Sequence, residues 1–218
     1  CTSLQSVTLP TTLTNIDYSS FSRCTSLKSI ILPANLKDIN NEAFCASGLD
    51  SIIIPEGIKS LSSATFRDCK DLKSIELPKS LLIIGSNAFS GCISLPSIRI
   101  PDNVTTISNY AFSGCTSLAN VELPDGLFEI QYNAFSECTS LNTINLPTEL
   151  SKIGGRVFSG CTALNNITLP PYLEKIDNAT FSGCTSLTAI DFPCGIIENN
   201  AFQDCTSLTI VKLPIDLM

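Results

Sequence analysis

The sequence contains neither histidine nor tryptophan among its 218 residues. Without histidine, Ser-His-Asp and Cys-His catalytic arrangements are impossible, and the side chain that ordinarily titrates near neutral pH is missing. No apolar run approaches the ~20 residues that a membrane-spanning helix needs. The sequence therefore predicts neither a histidine-dependent enzyme nor a transmembrane protein.

Charge is also scarce. Charged residues make up 15% of the chain and hydrophobic residues 44%, which is too apolar a composition for a disordered chain. The net charge of −7 makes a nucleic acid an unfavourable partner. The negative charge lies in the second part of the chain. Residues 1–100 carry nine Lys and Arg against eight Asp and Glu, whereas residues 101–218 carry four against twelve.

The abundant feature is a repeat. The heptad Phe-Ser-Gly-Cys-Thr-Ser-Leu at residues 112–118 returns at 181–187, and near copies occur elsewhere. Phenylalanines recur at intervals of 21–23 residues, at positions 21, 44, 66, 89, 112, 135, 158, 181 and 202. Such strict periodicity along the whole chain predicts a solenoid, in which each unit buries its apolar face against its neighbours.

Each repeat is expected to contain one strand. The segment Leu-x-x-Ile-x-Leu-Pro alternates apolar and polar residues towards its end, and its proline lacks the N–H group needed to continue a ladder. About ten such strands would form one parallel, concave sheet, roughly 45 Å long at about 4.8 Å per strand. The following Leu-x-x-Ile segment, as in Leu127 and Ile130, supplies two more inward-facing residues.

The rest of the repeat is predicted to form a short helical turn on the convex side. A polar residue four positions before the phenylalanine, such as Asp17 or Asp177, suits a helix N-cap. Gly114 and its equivalents tolerate the positive φ that ends a helical turn. The predicted fold is thus a mainly β and irregular solenoid of about ten repeats, with the phenylalanines stacked inside.

Nine of the eleven cysteines fall in register, at positions 1, 24, 69, 92, 115, 138, 161, 184 and 205. Adjacent coils would bring them within disulfide range, but equivalent Cβ vectors point the same way and do not face each other. Zinc needs ligands that converge from several directions. We therefore expect buried free thiols and no metal or cofactor. Cys45 and Cys194 lie out of register and are expected to be the most exposed thiols.

The string Ala-Phe-x-x-Cys-x-x-Leu-x-x-Ile-x-Leu-Pro, as at residues 134–147, resembles the leucine-rich repeats of the BspA type. These occur in surface proteins of bacteria and some protists, and the resemblance covers the entire chain. It implies a curved leucine-rich-repeat solenoid for adhesion or protein binding, without catalytic activity and at the cell surface or secreted.

Residues 1–218 are expected to form a single solenoid domain. The chain begins within a repeat at Cys1 and stops at Met218 without a polar cap. Terminal repeats need such caps for solubility. We therefore expect a fragment of a longer protein, or a solenoid whose ends neighbouring copies or other chains cover.

Two functional hypotheses remain open. One is a binding or adhesion module that holds a protein or glycan ligand on its concave sheet. The other is a structural building block of an extracellular fibre or large assembly. Three Asn-x-Thr sequons, at Asn103, Asn166 and Asn178, are about as many as chance predicts and do not decide between them.

The candidate binding residues point away from the sheet just after the central apolar residue of the strand. Unlike the inward positions, they differ from one repeat to the next. They are Glu76, Arg99, Glu122, Asn145, Thr168 and Asp191. A position free of the packing rules of the repeat can be used to recognise a partner, although these residues could equally form a solvated charge ladder.

Overall fold

The computed structural model describes residues 1–193 and 195–212. The chain winds into a parallel-strand β-solenoid of about nine turns, which confirms the predicted repeat solenoid. We number the repeats 1 to 10 by the central apolar residue of the Leu-x-x-Ile-x-Leu segment. In order, these residues are Val7, Ile30, Ile52, Ile75, Ile98, Val121, Ile144, Ile167, Ile190 and Val211.

The described residues contain short strands in two parallel ladders. They are β1 (Asn15–Ile16), β2 (Asp38–Ile39), β3 (Ser51–Ile53), β4 (Ser60–Leu61), β5 (Ser74–Glu76), β6 (Ile83–Ile84), β7 (Ser97–Arg99), β8 (Thr106–Ile107), β9 (Asn120–Glu122), β10 (Glu129–Ile130), β11 (Lys152–Ile153), β12 (Ala189–Asp191) and β13 (Ile210–Lys212). The first ladder comprises β3, β5, β7, β9, β12 and β13, and the second comprises the other strands.

The first ladder lies where the sequence predicts strands, but it is not one continuous sheet. Its strands pair two by two, as β3–β5, β7–β9 and β12–β13, and an isolated bridge joins Thr143 to Asn166. The second ladder forms on the Leu-x-x-Ile segment, which was predicted only to face inward. There β4, β6, β8, β10 and β11 make a continuous five-stranded sheet.

The outer turns are tandem β-turns, so the predicted helical turns are wrong. The N–H groups of Ser113 and Cys115 donate to the carbonyl oxygens three residues earlier, at 3.1 Å each. Tyr110 and Gly114 have positive φ values of 57° and 72°. Between these bonds, Phe112 donates its N–H to Ala134 of the next repeat at 2.8 Å. In a helix the N–H groups point along the helix axis, so they would not point sideways at the next repeat as those of Tyr110, Phe112 and Gly114 do.

The phenylalanines form one continuous internal stack, as predicted. Their rings are nearly parallel, and neighbouring centroids lie 5.2–6.1 Å apart. Phe112 and Phe135 are fully buried.

The shortened repeat 3 brings its two neighbours into direct contact. Gly48 stands alone where the other repeats have two residues, most often Thr-Ser, and a Cβ atom there would overlap the carbonyl oxygen of Thr25. Because repeat 3 lacks one residue on this side, Lys28 of repeat 2 reaches across it to Asp71 of repeat 4. The Nζ–Oδ2 distance is 2.7 Å, and this hydrogen bond raises the pKa of Lys28.

Cys45 is buried, with 5% of its surface exposed, so the prediction of an exposed thiol is wrong for this residue. Arg67 of the next repeat lies beside Cys45, and the cysteine is the main cause of a raised pKa of the guanidinium. The same guanidinium pairs with Glu42 at 3.4 Å. Cys194 lies outside the described residues.

Candidate binding surface on the first ladder

All six predicted binding residues are exposed on the first-ladder face. They follow central residues that are wholly or partly buried, because successive side chains of a strand point to opposite faces. The parallel register sets Ile53 beside Glu76, Arg99 beside Glu122, and Asp191 beside Lys212. We call the exposed column formed by Ile31, Ile53 and the six predicted residues the variable stripe.

The charges on the variable stripe pair only in part. Arg99 Nε lies 4.0 Å from Glu122 Oε2, and Arg99 Nη2 lies 3.7 Å from Asp102 Oδ1. Among the described residues, no ion pair joins Arg99 to Glu76, although the predicted ladder placed Arg99 between Glu76 and Glu122. All of these side chains are well exposed, so each pair contributes under about 1 kcal/mol to stability.

The first ladder opens between repeats 4 and 5, which separates Glu76 from Arg99. In neighbouring repeats, an N–H group at the start of the strand segment bonds back to the previous repeat. Lys73 donates to Asp50 at 2.8 Å, and Ala119 donates to Pro96 at 2.9 Å. Pro96 occupies this position in repeat 5 and has no N–H group to donate, and no backbone hydrogen bond joins β5 to β7 in the part of the chain that the structure describes. Among these residues the first ladder is also interrupted between repeats 6 and 7 and between repeats 8 and 9, where Asn142 and Thr188 carry an N–H group at this position.

A groove of about 460 Å³ occupies this opening. It is lined by Ile75, Glu76, Leu77, Lys79, Arg99, Pro101 and Asp102. Ile75 is half-buried, whereas the equivalent Ile52 and Ile98 are 3% and 4% exposed. The opening therefore uncovers part of the core between side chains of both charges. We call it the repeat 4–5 groove.

The variable stripe has an apolar end that the predicted site omitted. Ile31 is 88% exposed and Ile53 is 63% exposed, directly before Glu76 in the same column. The signal was present in the sequence, because an apolar residue at an outward strand position breaks the alternation of apolar and polar residues. The stripe thus changes from aliphatic to charged to neutral polar along the solenoid, and it ends on the charged Asp191.

The cysteine column is a structural feature of the core. The Cys115 thiol donates to the carbonyl oxygen of Phe89 at 3.1 Å, and Cys138 to Cys184 repeat this contact. All ten described cysteines are free thiols. Of the nine that recur at the repeat period, Cys1 is exposed, Cys205 is half-buried and the others are buried. Burial raises the pKa of the Cys69 thiol to about 11 and of Cys115 to about 12.

The described residues contain no group of three or more His, Cys, Asp or Glu side chains placed to hold a metal ion. They also contain no helix that is long and apolar enough to cross a membrane.

Comparison with known proteins agrees with this geometry. A family model described as "BspA type Leucine rich repeat region (6 copies)" matches residues 1–118 and 82–209. No curated protein matches the chain.

Three solved structures are similar. A leucine-rich repeat protein from Bacteroides ovatus is 29% identical, with a TM-score of 0.55, over 96% of this chain and 72% of that one. The T. pallidum leucine-rich repeat protein is 29% identical, with a TM-score of 0.69, over 73% and 78%. A leucine-rich cell surface protein from Faecalibacterium prausnitzii is 24% identical, with a TM-score of 0.55, over 94% and 70%, and it supports the fold alone.

Proposed function

The chain belongs to the BspA-type leucine-rich repeat family, and we propose that it is a non-enzymatic binding or adhesion module that acts at the cell surface or after secretion. Its partner is a protein or glycan, which it binds through the first-ladder face. The BspA-type repeats of the chain support the proposed location.

One observation carries this proposal. Inward positions keep the same residue types in successive repeats because the core requires them, whereas the exposed variable stripe changes at almost every repeat. Paired strands are about 4.8 Å apart, and the stripe follows successive repeats along the solenoid, so a long ligand can contact several of its residues. Extended inner surfaces of this kind are what solenoid proteins use to bind partners.

The experiment exchanges charges on the two sides of the solenoid. Arg99→Glu combined with Glu122→Arg alters the stripe, and Glu137→Arg combined with Arg156→Glu is the matched control on the outer turns. All four side chains are exposed, so neither double variant should shift the melting temperature by more than about 2 °C.

Binding is measured with the peptides and glycans that the parent selects from a random peptide library and a glycan array. We expect the stripe variant to lose at least tenfold in affinity and the control variant to bind like the parent. Loss of binding in the outer-turn variant alone would place recognition on the convex side and contradict the proposal.

A further inference from the structure

We propose that the repeat 4–5 groove is the anchoring site for an extended polypeptide ligand, and that this ligand places a basic residue at Glu76 and an aliphatic residue over Ile31 and Ile53. This inference rests on the proposed function. It identifies the partner as a polypeptide and places its binding site on repeats 2 to 5.

The strand spacing at the groove limits how a ligand can lie there. β5 pairs with β3 and β7 pairs with β9, and no pairing joins β5 to β7 within the described residues. Some Cα atoms of β5 and β7 lie within 8 Å of each other, and a third strand between them would need about 9.6 Å. The ligand therefore lies across the mouth of the groove, where it contacts side chains and not the strand edges.

The charges of the groove favour a polypeptide. Arg99 pairs with Asp102 and Glu122, and Lys79 acts on Glu56, whose pKa it lowers through its backbone N–H and also through its charge. Glu76 lines the groove and forms no ion pair within the described part of the chain. Its carboxylate matches a ligand with a basic side chain. Complementary charges of this kind set the register and partner choice of a ligand more than its affinity.

The apolar surface beside the groove gives the ligand its direction. Ile31 and Ile53 precede Glu76 in the same column. Two repeats span about 9.6 Å along the stripe. In the extended polyproline II conformation, three residues span about 9.3 Å and complete one turn, so side chains three positions apart point to the same side. A ligand that runs along the stripe in this conformation can therefore contact Ile31 with an aliphatic residue and Glu76 with a basic residue three positions away. The groove lining contains no aromatic ring on which a sugar could stack.

The test begins with a phage-displayed library of random dodecapeptides panned against the full chain. Enriched peptides are synthesised, and their dissociation constants are measured by calorimetry for the parent and four variants. Glu76→Lys reverses the free carboxylate. Pro96→Ala supplies an N–H group that can bond to Lys73 and close the groove. Glu137→Lys and Pro171→Ala are the matched controls, since both change exposed residues away from the groove.

We expect the library to yield peptides that carry an aliphatic residue three positions from a basic residue. Glu76→Lys and Pro96→Ala should each weaken their binding at least tenfold, with unchanged melting temperatures, while the two controls bind like the parent. Failure to enrich any peptide, or equal binding to the parent, Glu76→Lys and Pro96→Ala, would overturn it. A glycan from the array that loses binding in Glu76→Lys would overturn the polypeptide class.

The outcomes separate this inference from the proposed function. Ligands that are lost when Arg99 and Glu122 exchange charges, but kept by Glu76→Lys and Pro96→Ala, would leave the binding function standing and refute the groove as its anchor. Ligands lost only when Glu137 and Arg156 are reversed would refute both.

Discussion

At the scale of single residues, the recurrent cysteine has a role beyond filling space. Its thiol donates to a phenylalanine carbonyl oxygen one coil back along the chain, as Cys115 does to Phe89. That carbonyl also accepts the N–H of Cys92. Cysteine is a small hydrophobic residue with a weak donor, so it fits a position that is both apolar and next to a carbonyl group. Alanine would fill part of the space but would lose the donor.

The phenylalanine stack makes a testable contribution to stability. Phe112 is fully buried between two parallel rings, at centroid distances of 5.2 Å on both sides. Phe112→Ala should therefore lower the free energy of unfolding by roughly 3–5 kcal/mol, measured by urea denaturation. Phe128→Ala is the control, because Phe128 is 50% exposed. Equal effects of the two substitutions would show that the stack does not support the core.

At the scale of elements, hydrogen bonds between repeats are shared among three tracks. The first ladder opens where Pro96 stands, and the second ladder remains continuous there from β4 to β11. On the turns, Tyr110, Phe112 and Gly114 all donate to the next repeat, at 2.8–2.9 Å. Because the other two tracks hold adjacent repeats together, one track can open without separating them. This arrangement is what permits a groove on the first-ladder face.

The turn of repeat 3 depends on a single glycine. A Cβ on Gly48 would overlap the Thr25 carbonyl oxygen. A Cβ on Gly126 would lie 3.9 Å from the Asp102 carbonyl oxygen, which is an ordinary contact. Gly48→Ala should thus destabilise the chain by roughly 1–3 kcal/mol, because the backbone must move. Gly126→Ala should change stability by less than about 0.5 kcal/mol. Chemical denaturation of both variants is the measurement, and a neutral Gly48→Ala would contradict the close approach.

At the scale of the whole molecule, the buried thiols should together make the free energy of unfolding fall as the pH becomes alkaline. Burial raises the pKa of Cys69 to about 11 and of Cys115 and Cys161 to about 12, from an ordinary value of 9.0. The unfolded chain loses these protons near pH 9, and the folded chain keeps them. The contribution of these protonated thiols to the free energy of unfolding is therefore fully present below pH 9. It is lost as the pH rises towards 12, because the unfolded state binds fewer protons there than the folded state.

The measurement is the fall in unfolding free energy between pH 8 and pH 10. One thiol should account for about 1.4 kcal/mol of this fall. Cys115→Ala should show a smaller fall than the parent by about that amount, while other titrating groups affect both proteins equally. The same pH dependence in parent and variant would mean that the thiol ionises in the folded state.

The sequence alone predicts the repeat period, the solenoid and the buried columns of phenylalanine and cysteine. It also predicts the exposed column of Glu76, Arg99 and Glu122. Apolar spacing decides which side chains face inward, and every repeat restates the same spacing. Other features depend on where backbone N–H groups point between coils. Tertiary structure decided the β-turns at Tyr110 and Gly114, the second ladder, and the burial of Cys45 beside Arg67. The groove beside Pro96 arises in the same way, because hydrogen bonds between residues more than 20 positions apart exist only once neighbouring coils are stacked.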